Sequence, residues 1–176
     1  MIEKKYIAYL HSCGISQWEL GKIFSTEISW ANFFNNLSDT SLQSYIPNLD
    51  RRHEILKKYK NLDIKKLDNT LSKLNVEIIL LWDSQYPESL KNIPHTPYIL
   101  YVRWKIPPWD MFWIVGSRGI TSYGKKVIQK LTPDIAKIFS IVSGWAAGCD
   151  TEAHKASLTS WWNTVVVIEA VIVVSV

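Results

Sequence analysis

The run Phe112-Trp113-Ile114-Val115-Gly116-Ser117-Arg118-Gly119-Ile120-Thr121-Ser122-Tyr123-Gly124 carries the residue types that hold an anion. It reads as an apolar strand, then a glycine turn that opens a helix. Gly116 and Gly119 let the backbone turn sharply and approach a ligand closely. Ser117 and Thr121 can cap the following helix, and the first free amides of a helix favour negative charge. Arg118 adds a fixed cation. An ordinary strand-to-helix turn of a doubly wound sheet accounts for the same residues without any ligand.

A second stretch, Ile141 to Leu158, repeats the layout. Ser143, Gly144 and Gly148 form a small-residue turn after an apolar strand, and Asp150 or Thr151 opens the next helix. In a parallel α/β sheet both turns fall at the carboxyl ends of neighbouring strands, where this architecture binds ligands. Lys125, Lys126 and Lys155 can line the approach. Asp150 and His154 stand four apart on one helix face, a spacing open to acid–base chemistry. Helix capping by Asp150 and a local hydrogen bond from His154 are the preferred account of the pair, because neither a nucleophile nor a second carboxylate accompanies them.

At these positions the sequence resembles the DNA-processing protein A family (DprA, also called Smf). The family pattern is IVGSR-x-x-T-x-YG, then SG-x-A-x-G-x-D-x-x-AH-x-x-AL, preceded by a YP-x-x-L segment and a P-x-x-LY strand. The matching residues are Tyr86, Pro87 and Leu90; Pro97, Leu100 and Tyr101; Ile114 to Arg118, Thr121, Tyr123 and Gly124; then Ser143, Gly144, Ala146, Gly148, Asp150, Ala153, His154 and Leu158. They span roughly residues 80 to 168.

The elements around these turns follow from periodicity and punctuation. Residues 1–75 read as short helices: Ile2 to Leu10, Gln17 to Phe24, Trp30 to Leu37, Ser41 to Tyr45, and Leu49 to Leu74 broken near Asn61. Ser16 with Glu19 makes a capping box, and Ser38, Asp39 or Thr40 starts a later helix. Lys57, Lys58, Lys60, Lys65, Lys66 and Lys73 lie largely off the apolar face of the last segment and read as a solvated surface, with a DNA contact as the alternative. From Val76 the pattern changes to strands at 76–81, 98–102, 111–115, 138–142 and 164–168, with helices at about 87–92, 121–131 and 151–159. The expectation is an α/β chain: an all-helical module over 1–75, then a Rossmann-like parallel sheet over 76–176. The resemblance implies that the helical module is similar to a helix-hairpin-helix or sterile-alpha-motif-like unit.

Composition narrows the class. The 176 residues carry a net charge of +4, which permits a polyanionic partner without requiring one. Cys13 and Cys149, with no CxxC or Cys/His cluster, fit a reducing compartment and imply neither a disulfide scaffold nor a metal site. No cofactor is implied. Charges at Glu3, Lys4 and Lys5 argue against a secretory signal, and no uncharged stretch reaches membrane-spanning length, so the expected location is the cytoplasm, away from the membrane.

Nine tryptophans stand against seven glycines, although glycine averages about 7% of residues and tryptophan is far rarer. Trp104, Trp113, Trp161 and Trp162 fall where the family commonly has glycine or a small residue, Trp145 where it has a small residue or leucine, and Trp109 lies in a Pro-Pro turn that would suit glycine. We read many of them as glycine codons: UGA translated as tryptophan where the cell reads glycine. An indole at 145 should crowd its turn, and Trp161-Trp162 should not replace a Gly-Gly turn that needs positive φ. The other reading is that the tryptophans are real stacking platforms for bases.

The C-terminal run Thr164 to Val176 looks like one buried strand with nothing closing it, and the expected domain is C-terminally incomplete. The family's V-x-G-x-G-x-D turn is replaced by Val167 to Val173, with Glu169, Val171 and Val173 in place of two glycines and an aspartate. The family often has a basic residue at Asn163.

For function, the resemblance implies a non-enzymatic protein that binds single-stranded DNA and loads a RecA-type recombinase during DNA uptake or natural transformation. A homodimer would form through C-terminal parts that this chain lacks. Gly116, Ser117, Arg118, Gly119 and Thr121 would hold a backbone phosphate, and Ser143, Gly144, Gly148 and Lys155 would adjoin it, with Lys125, Lys126, Asp150 and His154 in support. The competing class is a phosphoribohydrolase-like enzyme, which needs a PGG-x-GT-x-x-E run that this sequence lacks. A dinucleotide site is weaker still, since G-x-G-x-x-G is absent. The third alternative is a non-functional fragment of the family.

Overall fold

The computed structural model describes residues 2–26, 28–107, 110–168 and 171–175, with backbone alone at 2 and 171–175. Trp109 and Glu169, both singled out above, lie outside the described residues. The chain divides into two compact units, Met1–Leu74 with Ile78–Leu100, and Asn75–Glu77 with Tyr101–Val176.

Helices α1 (Ile2–Ser12), α2 (Gln17–Phe24), α3 (Trp30–Asn35), α4 (Asp39–Gln43), α5 (Leu49–Lys60) and α6 (Ile64–Lys73) build the first unit. Caps set their starts. Glu19 N donates to Ser16 Oγ at 3.3 Å while Ser16 N donates to Glu19 Oε2 at 2.7 Å, which is the expected capping box. Ser38 starts α4 in the same way, with Ser41 as its partner. The segment after residue 49 breaks where Asn61 ends α5 and Asp63 caps α6 through Lys66 N. Ile7, Leu10, Ile15, Leu20, Ile23, Leu42, Ile46 and Ile55 form the core of this unit. Arg52 is buried with them and fully engaged: Nε donates to Asp39 Oδ1 at 2.6 Å and Nη1 to the carbonyls of Ile46 and Pro47. All six lysines of the α5–α6 segment are exposed.

Glu19 also receives Arg51, whose Nε and Nη2 approach its two oxygens at 2.7 and 2.8 Å. Burial alone would raise the Glu19 carboxyl, but hydrogen bonds from Arg51 and Ser16 hold it down to about 2. A depressed folded pKa gives stability that is full above the ordinary value of 4.5 and is lost as pH falls towards 2. Glu19→Gln is therefore expected to destabilise the protein at neutral pH and to flatten the acid limb between those values. Denaturant melts at stepped pH check this.

Strands β1 (Val76–Leu80) and β2 (Ile99–Arg103) flank the short helix α7 (Glu88–Lys91), and each contributes residues to both units. Within the first unit, Gln17 of α2 clamps β2: its Oε1 accepts from the amides of Tyr98 and Ile99, and its Nε2 donates to Ile99 O.

The second unit adds β3 (Met111–Trp113), α8 (Ser122–Ala136), β4 (Ser140–Ser143), α9 (Cys149–Thr159), β5 (Thr164–Ile168) and β6 (Val171–Ser175), in strand order β2-β6-β5-β4-β3. Strands β3, β4 and β5 run parallel, with Phe112 opposite Ile141 and Val142 opposite Val165. Here the structure corrects the sequence reading. The run from Thr164 is two strands, β6 returning antiparallel along β5 with Val166 opposite Val173, and also pairing parallel with β2. The sheet is therefore mixed, not wholly parallel. Helix α8 also continues past the expected end at 131, through Pro133 to Ala136. Proline removes one N–H from the helical ladder, and Thr132 and Ala136 on either side of it are buried. Ile141, Ala136 and Ala153, with Ile114, Ile128 and Ile135 around them, pack the two helices onto the strands.

Candidate nucleic-acid interface

Both glycine turns leave the carboxyl ends of adjacent parallel strands. Ile114 N donates to Val142 O at 3.0 Å and Ser143 Oγ donates to Ile114 O at 2.6 Å, so the chain after β3 stays tied to β4 as it enters its loop. Gly116 then lies against α9: a Cβ there would stand 2.6 Å from Cys149 Sγ. Ser117 does not cap α8; its Oγ accepts from Gly119 N at 3.1 Å and folds the loop on itself. Thr121 does cap it, accepting from Gly124 N at 3.1 Å.

The second turn locks onto the first. Gly148 has φ +88°, and a Cβ on it would fall 2.3 Å from Ser117 O and 2.5 Å from Arg118 O. Cys149 N donates to Ser117 O at 3.1 Å. Helix α9 thus opens at Cys149 behind Gly148, not at Asp150 or Thr151. Asp150 is buried and reaches back instead, its Oδ2 accepting from Ala146 N at 3.3 Å. That carboxylate needs the space left by Gly144, where a Cβ would be 2.7 Å from Oδ2.

His154 is buried between β4 and β5. Its Nε2 lies 2.8 Å from Gly144 O and its Nδ1 2.8 Å from Thr164 Oγ1, while Thr164 Oγ1 also lies 2.9 Å from Ile141 O. A carbonyl only accepts, so Nε2 carries a hydrogen. Both ring nitrogens are engaged in holding the second turn to the sheet. His154→Ala is expected to cost about 2 kcal/mol by leaving buried partners unmet, measured by chemical denaturation, and to leave nucleotide hydrolysis at background.

The basic residues separate into two groups. Lys125 Nζ and Lys155 Nζ both face Glu152 Oε1, at 3.2 and 4.0 Å, and Gln129 binds its other oxygen, beside an open hollow of about 440 Å³ between α8 and α9. Lys125 pairs with this buried carboxylate, and Lys155 stands at the limit of ion-pair distance from it. Glu152 went unread in the sequence; its i,i+3 spacing to Lys155 was visible, but the approach of Lys125 from α8 was not. Arg118 and Lys126 are exposed and make no hydrogen bond or ion pair among the described residues. The amides of Gly116, Ser117 and Arg118 likewise donate to no protein acceptor among them. Those of Ser122 and Tyr123, at the first turn of α8, have no helical partner.

Trp145 does not crowd the second turn. It is 73% exposed, with its ring 6.4 Å from the His154 ring, and its φ is not positive. The turn bends at Gly148, so residue 145 can carry a side chain into solvent.

Two glycine turns, one jammed against the other's carbonyls at the ends of β3 and β4, are the arrangement on which the sequence comparison bears. The family described as DNA recombination-mediator protein A matches residues 77–174, more than half of the chain. The chain belongs to this family. It is 28% identical over 141 residues to protein Smf of Borreliella burgdorferi, covering 77% of this chain and 44% of that protein. It is 36% identical over 97 residues to DNA processing protein DprA of Bacillus subtilis, covering 53% and 33%. The crystal structure of DNA processing protein A from Streptococcus pneumoniae matches with a TM-score of 0.67 and 25% identity over 93% of this chain and 57% of that one. The chain therefore spans less than half the length of the two curated relatives. Among the described residues no helix is long and apolar enough to cross a membrane, and no group of three or more His, Cys, Asp or Glu is placed to hold a metal ion.

Proposed function

We propose that this chain binds single-stranded DNA through the loop after β3 and serves as a recombination mediator, presenting the strand to a RecA-type recombinase in DNA uptake. The observation that carries the reading is Arg118. It is an exposed guanidinium with no protein partner among the described residues, on a loop whose neighbouring amides are also unpaired, in a chain of the recombination-mediator family. A backbone phosphate fits such a loop, with Arg118 as the charge and the α8 N-terminus behind it. Lys126 extends the positive edge, while Lys125 ties α8 to α9 through Glu152, which Lys155 of the same helix α9 also faces. Ser143, Gly144, Gly148, Asp150 and His154 act as the frame. Their polar atoms are spent on protein partners, which supports a binding role over an acid–base one.

The test pairs two assays on one folded preparation. Fluorescence anisotropy with a labelled oligothymidine should show binding that an excess of unlabelled single strand displaces and equal nucleotides of duplex do not. Incubation with nucleoside monophosphates should release no free base. Equal competition by duplex removes single-strand selectivity, and base release returns the enzyme reading.

A further inference from the structure

Four described residues other than glycine have positive φ: Asn75 at 52°, His95 at 59°, Trp104 at 67° and Trp161 at 65°. Asparagine and histidine enter this region with some ease, but a bulky aromatic there is an outlier. Trp161 sits at a defined place. It follows the C-cap of α9, its N–H donates to Leu158 O at 3.0 Å, and the N–H of Trp162 donates to Ser157 O at 3.2 Å. These two bonds make a Schellman motif, whose left-handed residue is usually glycine. Nothing compensates for the indole at that place, which is 95% exposed. Trp104 directly follows β2, with the Arg103 guanidinium 4.2 Å from its ring centre at the surface.

The pattern extends beyond two residues. Of the eight described tryptophans, only Trp30 is buried, and the other seven are between 39% and 95% exposed, although tryptophan is on average among the well-buried residues. We infer that the protein as its cell makes it carries glycine at 104 and 161, the codon written as tryptophan being decoded as glycine. Glycine adopts both left-handed conformations without a side-chain penalty and leaves the Schellman hydrogen bonds intact. Trp30, at the first position of α3 with Phe24 stacked nearby, belongs to the core and serves as the contrast.

Peptide mass spectrometry of the protein purified from its own cells reads the identity directly. Glycine at both positions is the expected result, and tryptophan at either overturns the inference. A second arm uses recombinant protein with the written sequence. Trp104→Gly and Trp161→Gly should each raise the melting temperature by roughly 2–4 °C, the shift that a modest strain relief gives in a chain of this size. Trp30→Gly should lower it. A fall for Trp104→Gly and Trp161→Gly would overturn the conformational argument even if the written chain folds well.

Discussion

Arg118→Ala is expected to weaken single-stranded DNA binding about tenfold at moderate salt and to reduce the slope of log affinity against log salt by about one phosphate equivalent. The size follows from the loss of one charge-assisted contact that water replaces poorly. The variant should fold as the parent does, because Arg118 has no partner among the described residues to lose. Arg118→Lys should keep most of the salt slope and lose part of the affinity, since a point charge replaces a bidentate fork. Lys125→Ala gives the contrast: its ammonium already faces Glu152, so it should change stability more than slope. A slope unaltered in Arg118→Ala would take the central phosphate contact away from this loop.

Gly148→Ala is expected to destabilise the second unit by on the order of 4 kcal/mol and to abolish binding even where some fold survives. Two costs combine. The backbone at φ +88° and ψ −125° lies where an L side chain is strained, and the new Cβ would stand 2.3 and 2.5 Å from two carbonyl oxygens of the first loop. Those atoms are backbone, so relief requires the loops to part and the Cys149 N to Ser117 O bond to lengthen or break. Against a typical stability of roughly 5–15 kcal/mol, a loss of this size is severe. Denaturant unfolding followed by near-ultraviolet signal measures it. Gly119→Ala is the control, because the only atom near a Cβ there is Ser117 Oγ at 3.9 Å and its φ is not positive. Equal stability of the two variants would show that the loops are not locked as described.

The helices of the first unit and the strands at 76, 99, 140 and 164 were legible because caps, glycines and prolines punctuate them. Ser16 with Glu19 and Thr121 with Gly124 formed the capping contacts that their spacing implies. The β5–β6 return was not legible, since Thr164 to Val176 is almost uniformly β-branched and contains neither glycine nor proline to mark a turn. The two glycine turns could be found in the sequence, but their contact could not. Nothing in the spacing of Gly148 shows that it meets the carbonyls of Ser117 and Arg118. The same limit hid the surroundings of the lysines, for Lys125 on α8 and Lys155 on α9 both face one carboxylate, Glu152, which offsets one of their two charges. Asp150 read as a helix cap because its type favours that role; the positive φ of Gly148 let the helix begin two residues earlier and freed the carboxylate for Ala146. Trp145 misled in the other direction, since the turn places its bend three residues later.

The most direct measurement is equilibrium binding of a labelled single-stranded oligonucleotide to the folded chain over a salt series. The expected result is an affinity that falls linearly on a log–log scale, with a slope of about −0.7 for each phosphate engaged. A folded chain that shows no binding at the lowest salt, or binding without a salt slope, contradicts the assignment of this loop to a nucleic-acid backbone.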